Sequence, residues 1–137
     1  MKQEYVAGFM FQGTRVALIR KQRPQWQRHL LNGIGGHIEE NETAMEAMER
    51  EFEEETGCKV TDWTCYCWLS SPGFMVYFFH CRGDLSLLKT TTDEEIVICD
   101  IGDLPFDVVP NLRWLIPMAL DLVYTANVRV NSLPGDS

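Results

Sequence analysis

Three glutamates, Glu51, Glu54 and Glu55, stand at i, i+3 and i+4 in a stretch of this 137-residue chain that contains no helix breaker. On a helix, that spacing brings three carboxylates to one flank. Like charges so placed repel each other. Hard divalent cations offset the repulsion, and carboxylate oxygens suit Mg²⁺ or Mn²⁺. Mg²⁺ commonly shares a few carboxylates with substrate phosphates. Arg50, next in sequence, is suited to steady one carboxylate by a charge-assisted hydrogen bond. At roughly 100° per residue, Met45, Met48 and Phe52 form the buried stripe, and Glu42, Glu46, Glu49 and Glu53 the solvated face. Glu51, Glu54 and Glu55 share their flank with Ala44 and Ala47, whose small side chains leave room for a ligand.

The charge distribution points the same way. The net charge is −8, and segment 39–55 holds nine glutamates against one arginine. The remainder has 11 acids and 11 bases, so the whole excess sits in that segment. A concentrated acidic segment is either a solvated helix face or a cation site. Duplex nucleic acid needs a basic footprint, so it is an unsuitable partner. No apolar run reaches bilayer-spanning length, and the first residues lack a signal-peptide pattern. Five cysteines (Cys58, Cys65, Cys67, Cys81 and Cys99) are an odd number without C-x-x-C. Free thiols in a reducing, cytoplasmic compartment are expected. Cys65 and Cys67 alternate along an expected strand and so should face one side of it.

These residues need a scaffold. The pattern predicts strands over 4–11 and 15–20 around a Gln12-Gly13-Thr14 turn, and a polar loop over 21–29. Short apolar pieces around three glycines fill 30–38, and a helix over 42–56 is closed by Gly57. Strands follow over 58–70, 74–82 and 94–101. The 74–82 strand is apolar enough to be central. A second helix opens at Pro110 or Asn111 and runs to about Ala126 with Pro117 inside it. The polar tail 127–137 is expected to be weakly ordered. This order gives one α/β (α+β) domain over 1–137, a mixed sheet with helices on two faces.

Gly36-x5-Glu42-x7-Arg50-Glu51-Phe52-Glu53-Glu54-Glu55-Thr56-Gly57-Cys58 resembles the complete box of the Nudix hydrolase family, G-x5-E-x7-R-E-U-x-E-E-x-G-U with U a bulky aliphatic. All seven fixed positions match, a coincidence on the order of 10⁻⁸ at background usage. Only the soft U positions depart, with Phe52 aromatic and Cys58 small. The resemblance implies an α/β/α sandwich over about residues 4–125. It also implies metal-dependent hydrolysis of a nucleoside diphosphate-linked substrate by water attack on phosphorus. Its metal ligands fall on Glu51, Glu54 and Glu55 with the carbonyl of Gly36, and Arg50 orients a catalytic carboxylate. Asp93, Glu94 and Glu95 lie where relatives place an extra ligand or base, an alternative to a box glutamate in that role.

Gly35 and Gly36 let backbone approach phosphate or metal, and Arg23 and Arg28 are the candidate phosphate contacts. Leu31-Asn32-Gly33-Ile34-Gly35-Gly36 resembles the branch acting on (d)NTPs, including oxidised purine nucleotides. There Asn32 would read the base and Trp114 stack on it, although Val109-Pro110-Asn111-Leu112-Arg113 has no acid pair before Trp114. Pro72, about 15 residues past Gly57, loosely suggests ADP-ribose or nucleotide-sugar hydrolysis as an alternative. A nucleotide-sensing module without catalysis is another. The expected partner is a small-molecule nucleotide, with no membrane, and the chain is expected to be a monomer or homodimer.

Overall fold

Val6 to Phe11 is a run of apolar residues, and alternation sends them to opposite faces of one strand. A computed structural model of the chain describes residues 2–121 and 128–131. In it, β1 (Gln3–Gln12) turns at Gly13-Thr14 into β2 (Arg15–Arg20), as the sequence predicts. Gly13 takes a φ of 59°, which suits glycine. β3 (Leu31–Asn32) and β4 (Ile34–His37) are short pieces of the glycine-rich segment. β5 (Thr64–Ser70), β6 (Phe74–Arg82), β7 (Ile96–Asp100) and β8 (Val128–Asn131) complete a mixed sheet. Its order is β3-β2-β1-β6-β5-β8, with β4 also on β1 and β7 on β2. β1 and β6 are parallel, and the pair is covered on both faces, as parallel strands require.

One face packs Phe9, Phe11, Leu18 and Phe78 under α2 (Leu112–Ala119), through Leu112, Leu115 and Ile116. The other packs Val6, Met10, Ile34 and Phe79 under α1 (Ala44–Thr56), through Ala47, Met48 and Phe52. The result is the expected helix–sheet–helix sandwich. Gly8 brings α1 close to the sheet: a Cβ there would lie 2.6 Å from Met48 Cε.

The boundaries depart from expectation for local reasons. Helix α1 begins at Ala44 rather than 42 because Thr43 caps it. The Glu46 N–H donates to Thr43 Oγ1 at 3.1 Å, and the Thr43 N–H donates to the Glu46 carboxylate at 2.9 Å. Gly57, at φ 78°, ends the helix as predicted. Met45 is exposed, whereas Ala47 is fully buried. The buried arc is therefore turned toward Ala47, and that alanine packs the core instead of leaving ligand space.

The expected strand at 58–70 starts only at Thr64. Residues 58–63 carry the chain from α1 to the sheet, and Trp63 plugs against Phe52 with ring centroids 4.9 Å apart. A bulge between Cys65 and Cys67 inserts Tyr66, so the two cysteines fall to opposite faces rather than one. All five cysteines are free. Helix α2 stops at Ala119, with the Leu120 N–H donating to Pro117 O at 3.2 Å, short of the expected 126. Residues 122–127 lie outside the described residues. Within the expected weakly ordered tail, Val128–Asn131 forms β8, parallel to β5; residues 127 and 132–137 lie outside the described residues. No helix among the described residues is long and apolar enough to cross a membrane.

Gly35 sits in β4 opposite Ala7 of β1. A Cβ at Gly35 would run into the Val6 carbonyl oxygen. Gly35→Ala is therefore expected to destabilise the fold by about 3 kcal/mol, an overpacking cost against backbone that cannot yield. A matching fall in urea midpoint at unchanged m-value checks this.

Candidate functional site

The acidic flank of α1 is organised by one cation. Arg50 Nε donates to Glu42 Oε2 at 2.7 Å and its Nη2 donates to Glu42 Oε1 at 3.0 Å, a two-point grip. Nη2 also donates to the His37 carbonyl at 2.9 Å, and Nη1 donates to Glu51 Oε1 at 3.0 Å. Glu54 lies at the long limit, 3.4 Å from Nη1. The expectation that Arg50 steadies one carboxylate is thus enlarged to Glu42 and Glu51. It also removes Glu42 from the solvated face, since its side chain is only 13% exposed. The Arg50 hydrogen bonds hold the Glu42 carboxyl below its ordinary range and keep Arg50 firmly protonated.

Glu51 and Glu55 behave in the opposite sense. Burial is the largest influence on both and pushes each carboxyl up. They lie within the arc between Ala47 and Phe52, so the helix carries them under neighbouring loops. Gly36 makes the space for Glu51: a Cβ there would stand 2.5 Å from Glu51 Oε1. Glu55 Oε2 accepts from Thr92 Oγ1 at 2.9 Å. Glu54 remains the most accessible of the three, its side chain 56% exposed.

A loop from Thr91 to Glu94 brackets this helix against residues 21–23. Thr91 Oγ1 donates to the Glu54 carbonyl. Asp93, exposed, pairs with Arg23. Glu94 is 3% exposed and pairs with Lys21 at 3.0 Å, which departs from a solvated strand start. Glu95 is exposed.

Beside the bracket opens a cleft of about 810 Å³. Lys21, Arg23, Trp26, Gln27, Asn32 and Asn111 line one part, and Gly35, Gly36 and His37 its floor. Leu69, Phe74, Val76 and Phe78 make an apolar shelf at another part. Asn32 is held in place: Nδ2 donates to Gln27 Oε1 at 2.9 Å, and Oδ1 accepts from the Gly33 N–H at 2.8 Å. Asn111 Oδ1 is buried without a protein partner. Of the residues singled out from the sequence, Arg23, Asn32, Gly35 and Gly36 meet in this cleft. Arg28 and Trp114 are exposed and do not line it. Trp26, 65% exposed on a short 3₁₀ turn (Gln25–Gln27), brings an aromatic ring to the part of the cleft lined by Lys21, Arg23, Gln27 and Asn32. Sequence reasoning missed Trp26 and Thr92, which no local pattern marks; Lys21 belongs to the same early group of bases as Arg23 and Arg28 (Arg15, Arg20, Lys21, Arg23 and Arg28), from which only the latter two are singled out.

A hard divalent cation suits this donor set by chemistry: carboxylates on one helical flank, two of them desolvated and costly to keep ionised alone. As placed, Glu51 is turned to Arg50 and Glu55 to Thr92. Among the described residues no three His, Cys, Asp or Glu side chains stand together as an ion cage.

A family model described as NUDIX domain matches residues 1–118. No curated protein matches the chain significantly. Among solved structures, a NUDIX hydrolase from Nitrosomonas europaea aligns over 96% of this chain and 80% of its own, with 17% identity and a TM-score of 0.76. A MutT NUDIX hydrolase from Burkholderia pseudomallei aligns over 86% and 98%, with 16% identity and a TM-score of 0.76. An ADP-ribose pyrophosphatase from Streptococcus suis aligns over 95% and 99%, with 17% identity and a TM-score of 0.68.

Proposed function

The chain belongs to the NUDIX family of hydrolases, and on that footing we propose that it converts a (deoxy)nucleoside triphosphate to the monophosphate and pyrophosphate, by water attack on phosphorus. One observation carries this reading. The acidic flank of α1 and the amide- and aromatic-lined cleft share a floor at Gly36, which lines the cleft and abuts Glu51. A triphosphate anion would be repelled by the α1 carboxylates alone. Glu51, Glu54 and Glu55, with the Gly36 carbonyl, would hold Mg²⁺ or Mn²⁺. When bound, such an ion supplies neutralisation of the anhydride and a lowered pKa for the attacking water.

The remaining work falls to this chain's own side chains. Arg50 fixes Glu51, so that the carboxylate is oriented before substrate arrives. Lys21 and Arg23 put positive charge on the cleft wall, where phosphate oxygens would enter. At the base end, the oriented Asn32 amide and the unpaired Asn111 Oδ1 offer a donor and an acceptor. The orphan acceptor favours a base edge that carries an N–H. Trp26 offers a ring for stacking, the role that the resemblance gave to Trp114. Trp26→Ala is expected to raise KM about tenfold at nearly unchanged kcat, since base stacking is uniform binding. Trp114→Ala in the same assay serves as the control, with KM unmoved.

The apolar shelf of Leu69, Phe74, Val76 and Phe78 favours a second reading, a nucleoside diphosphate linked to another moiety such as ADP-ribose or a nucleotide sugar. Turnover of a panel of (d)NTPs, oxidised purine nucleotides, ADP-ribose and nucleotide sugars with Mg²⁺ or Mn²⁺ decides between them. Tight binding of a nucleotide with no turnover on any member would replace catalysis by sensing.

A further inference from the structure

We propose that Glu94 is a positioning residue, a clasp that fixes the cleft-lining segment 21–27 against the helix of carboxylates, and that it takes no proton in the reaction. Glu94 is 3% exposed, although it stands just before β7 among exposed neighbours. Its Oε1 accepts from Lys21 Nζ at 3.0 Å. Its Oε2 accepts the backbone N–H of Gln22 at 2.7 Å and that of Arg23 at 3.4 Å. The Arg23 guanidinium stands 3.8 Å from the same oxygen. A general base needs an oxygen within hydrogen-bond reach of the proton it removes, about 3 Å or one water away. Both oxygens of Glu94 are instead committed to this chain's own donors inside a closed pocket. A buried carboxylate that takes two backbone N–H groups and an ammonium anchors a loop, because those donors have no water to return to.

What the clasp holds matters to the site. Segment 21–27 brings Lys21, Arg23, Pro24, Trp26 and Gln27 to the cleft, and Gln27 in turn orients Asn32. The other side of the clasp is fixed to α1. Thr92 Oγ1 accepts the Glu94 N–H at 3.1 Å and donates to Glu55, and Thr91 donates to the Glu54 carbonyl. Glu94 thus joins the wall that would bind base and phosphates to the helix that would bind the cation. Breaking it lets one wall drift from the other, which weakens substrate binding more than it slows the bound reaction. The kinetic consequence rests on the hydrolase reading; the loop consequence rests on geometry alone.

The test uses Glu94→Ala and Glu94→Gln in the full chain, both checked for folding by circular dichroism. Kinetics use whichever panel nucleotide the wild type turns over fastest. Loop order is read without nucleotide as the rate of trypsin cleavage after Arg28, the exposed basic residue that ends the segment. Glu94→Ala is expected to raise KM about tenfold with kcat lowered less than about threefold, and to speed cleavage about fivefold or more. Glu94→Gln keeps a carbonyl for the two backbone N–H groups but opposes Lys21 with a donor, so it falls between wild type and Ala in both readouts. If Glu94→Ala fails to fold, Glu94→Gln decides. The proposal is overturned if Glu94→Gln cuts kcat about a hundredfold or more at unchanged KM and erases the acid limb of the pH–rate profile. Unchanged KM and cleavage in the folded variants also overturn it. A wild type that hydrolyses no panel member would sink the functional reading; the cleavage rates then decide the clasp by themselves.

Discussion

Glu54→Gln is expected to reduce turnover by about 10³-fold or more while the fold stays in place. The amide keeps the size and removes the charge, so three carboxylates on one flank become two, and the affinity of the flank for a hard cation falls. Glu54 is the member best suited to this experiment because so little of the fold depends on it. Its side chain is 56% exposed, and its ion-pair partner, Arg50, lies at 3.4 Å. A contact of that kind contributes about 0.5 kcal/mol or less. Rate, Mn²⁺ affinity by calorimetry and thermal midpoint are measured on the same preparation. A variant within tenfold of wild-type turnover, at saturating Mg²⁺, would remove the helix flank from the chemistry.

Arg50→Ala is expected to lower both activity and stability. It strips the two-point partner from Glu42 and the orienting donor from Glu51, each 13% exposed. Leaving such carboxylates unpaired costs about 2 kcal/mol, less than for a fully buried pair because Arg50 itself is a quarter exposed. Turnover is expected to fall about a hundredfold as Glu51 loses its fixed orientation. Arg50→Lys recovers only part, since an ammonium cannot reproduce the forked grip on Glu42.

The pH dependence carries a definite sign. The Glu42 carboxyl is held below its ordinary value of 4.5, chiefly by Arg50. Its stabilisation is complete above that value and is lost as pH falls through the depressed one. The stability gap between wild type and Arg50→Ala should therefore narrow on acidification through that range. Glu51 and Glu55 have the opposite sign: burial raises both, so their contribution is present in acid and is lost as pH rises through the raised values. Urea unfolding at a series of pH values checks both statements. A gap that widens below pH 4.5 would contradict the assignment of Glu42 as the main partner.

The helix and its flanks could be read from one dimension because their determinants are local. Gly57 lies at the end it sets, and period 3.6 ties Glu51, Glu54 and Glu55 to one side; the Thr43–Glu46 cap is equally local, yet the expected start at 42 misses it by two residues. The burial of Glu51 and Glu55 was not legible, because it depends on loops distant in sequence that cover them. The cysteine pair was misread for a related reason. A bulge at Tyr66 breaks the period-2 rule, and bulges arise from pairing with β6 rather than from the strand's own residues. Gly35 and Gly36 adjoin in sequence, but Gly35 yields to the backbone of β1 and Gly36 to a side chain of α1.

The linear order of residues by itself determined the spacing of the carboxylates, the one-segment charge excess, the two-faced strands and hence the family and its architecture. All of these are set by repeats shorter than a few turns or by residue type. Folding decided which tryptophan lines the cleft, what Arg50 grips and where Glu94 is buried. The resemblance points to Trp114 as the stacking ring, whereas the 21–27 loop, tied to β3 by the Gln27–Asn32 hydrogen bond, brings Trp26 to the cleft instead. Glu94 meets Lys21 across 73 positions, a contact that sheet topology creates and that no local pattern encodes.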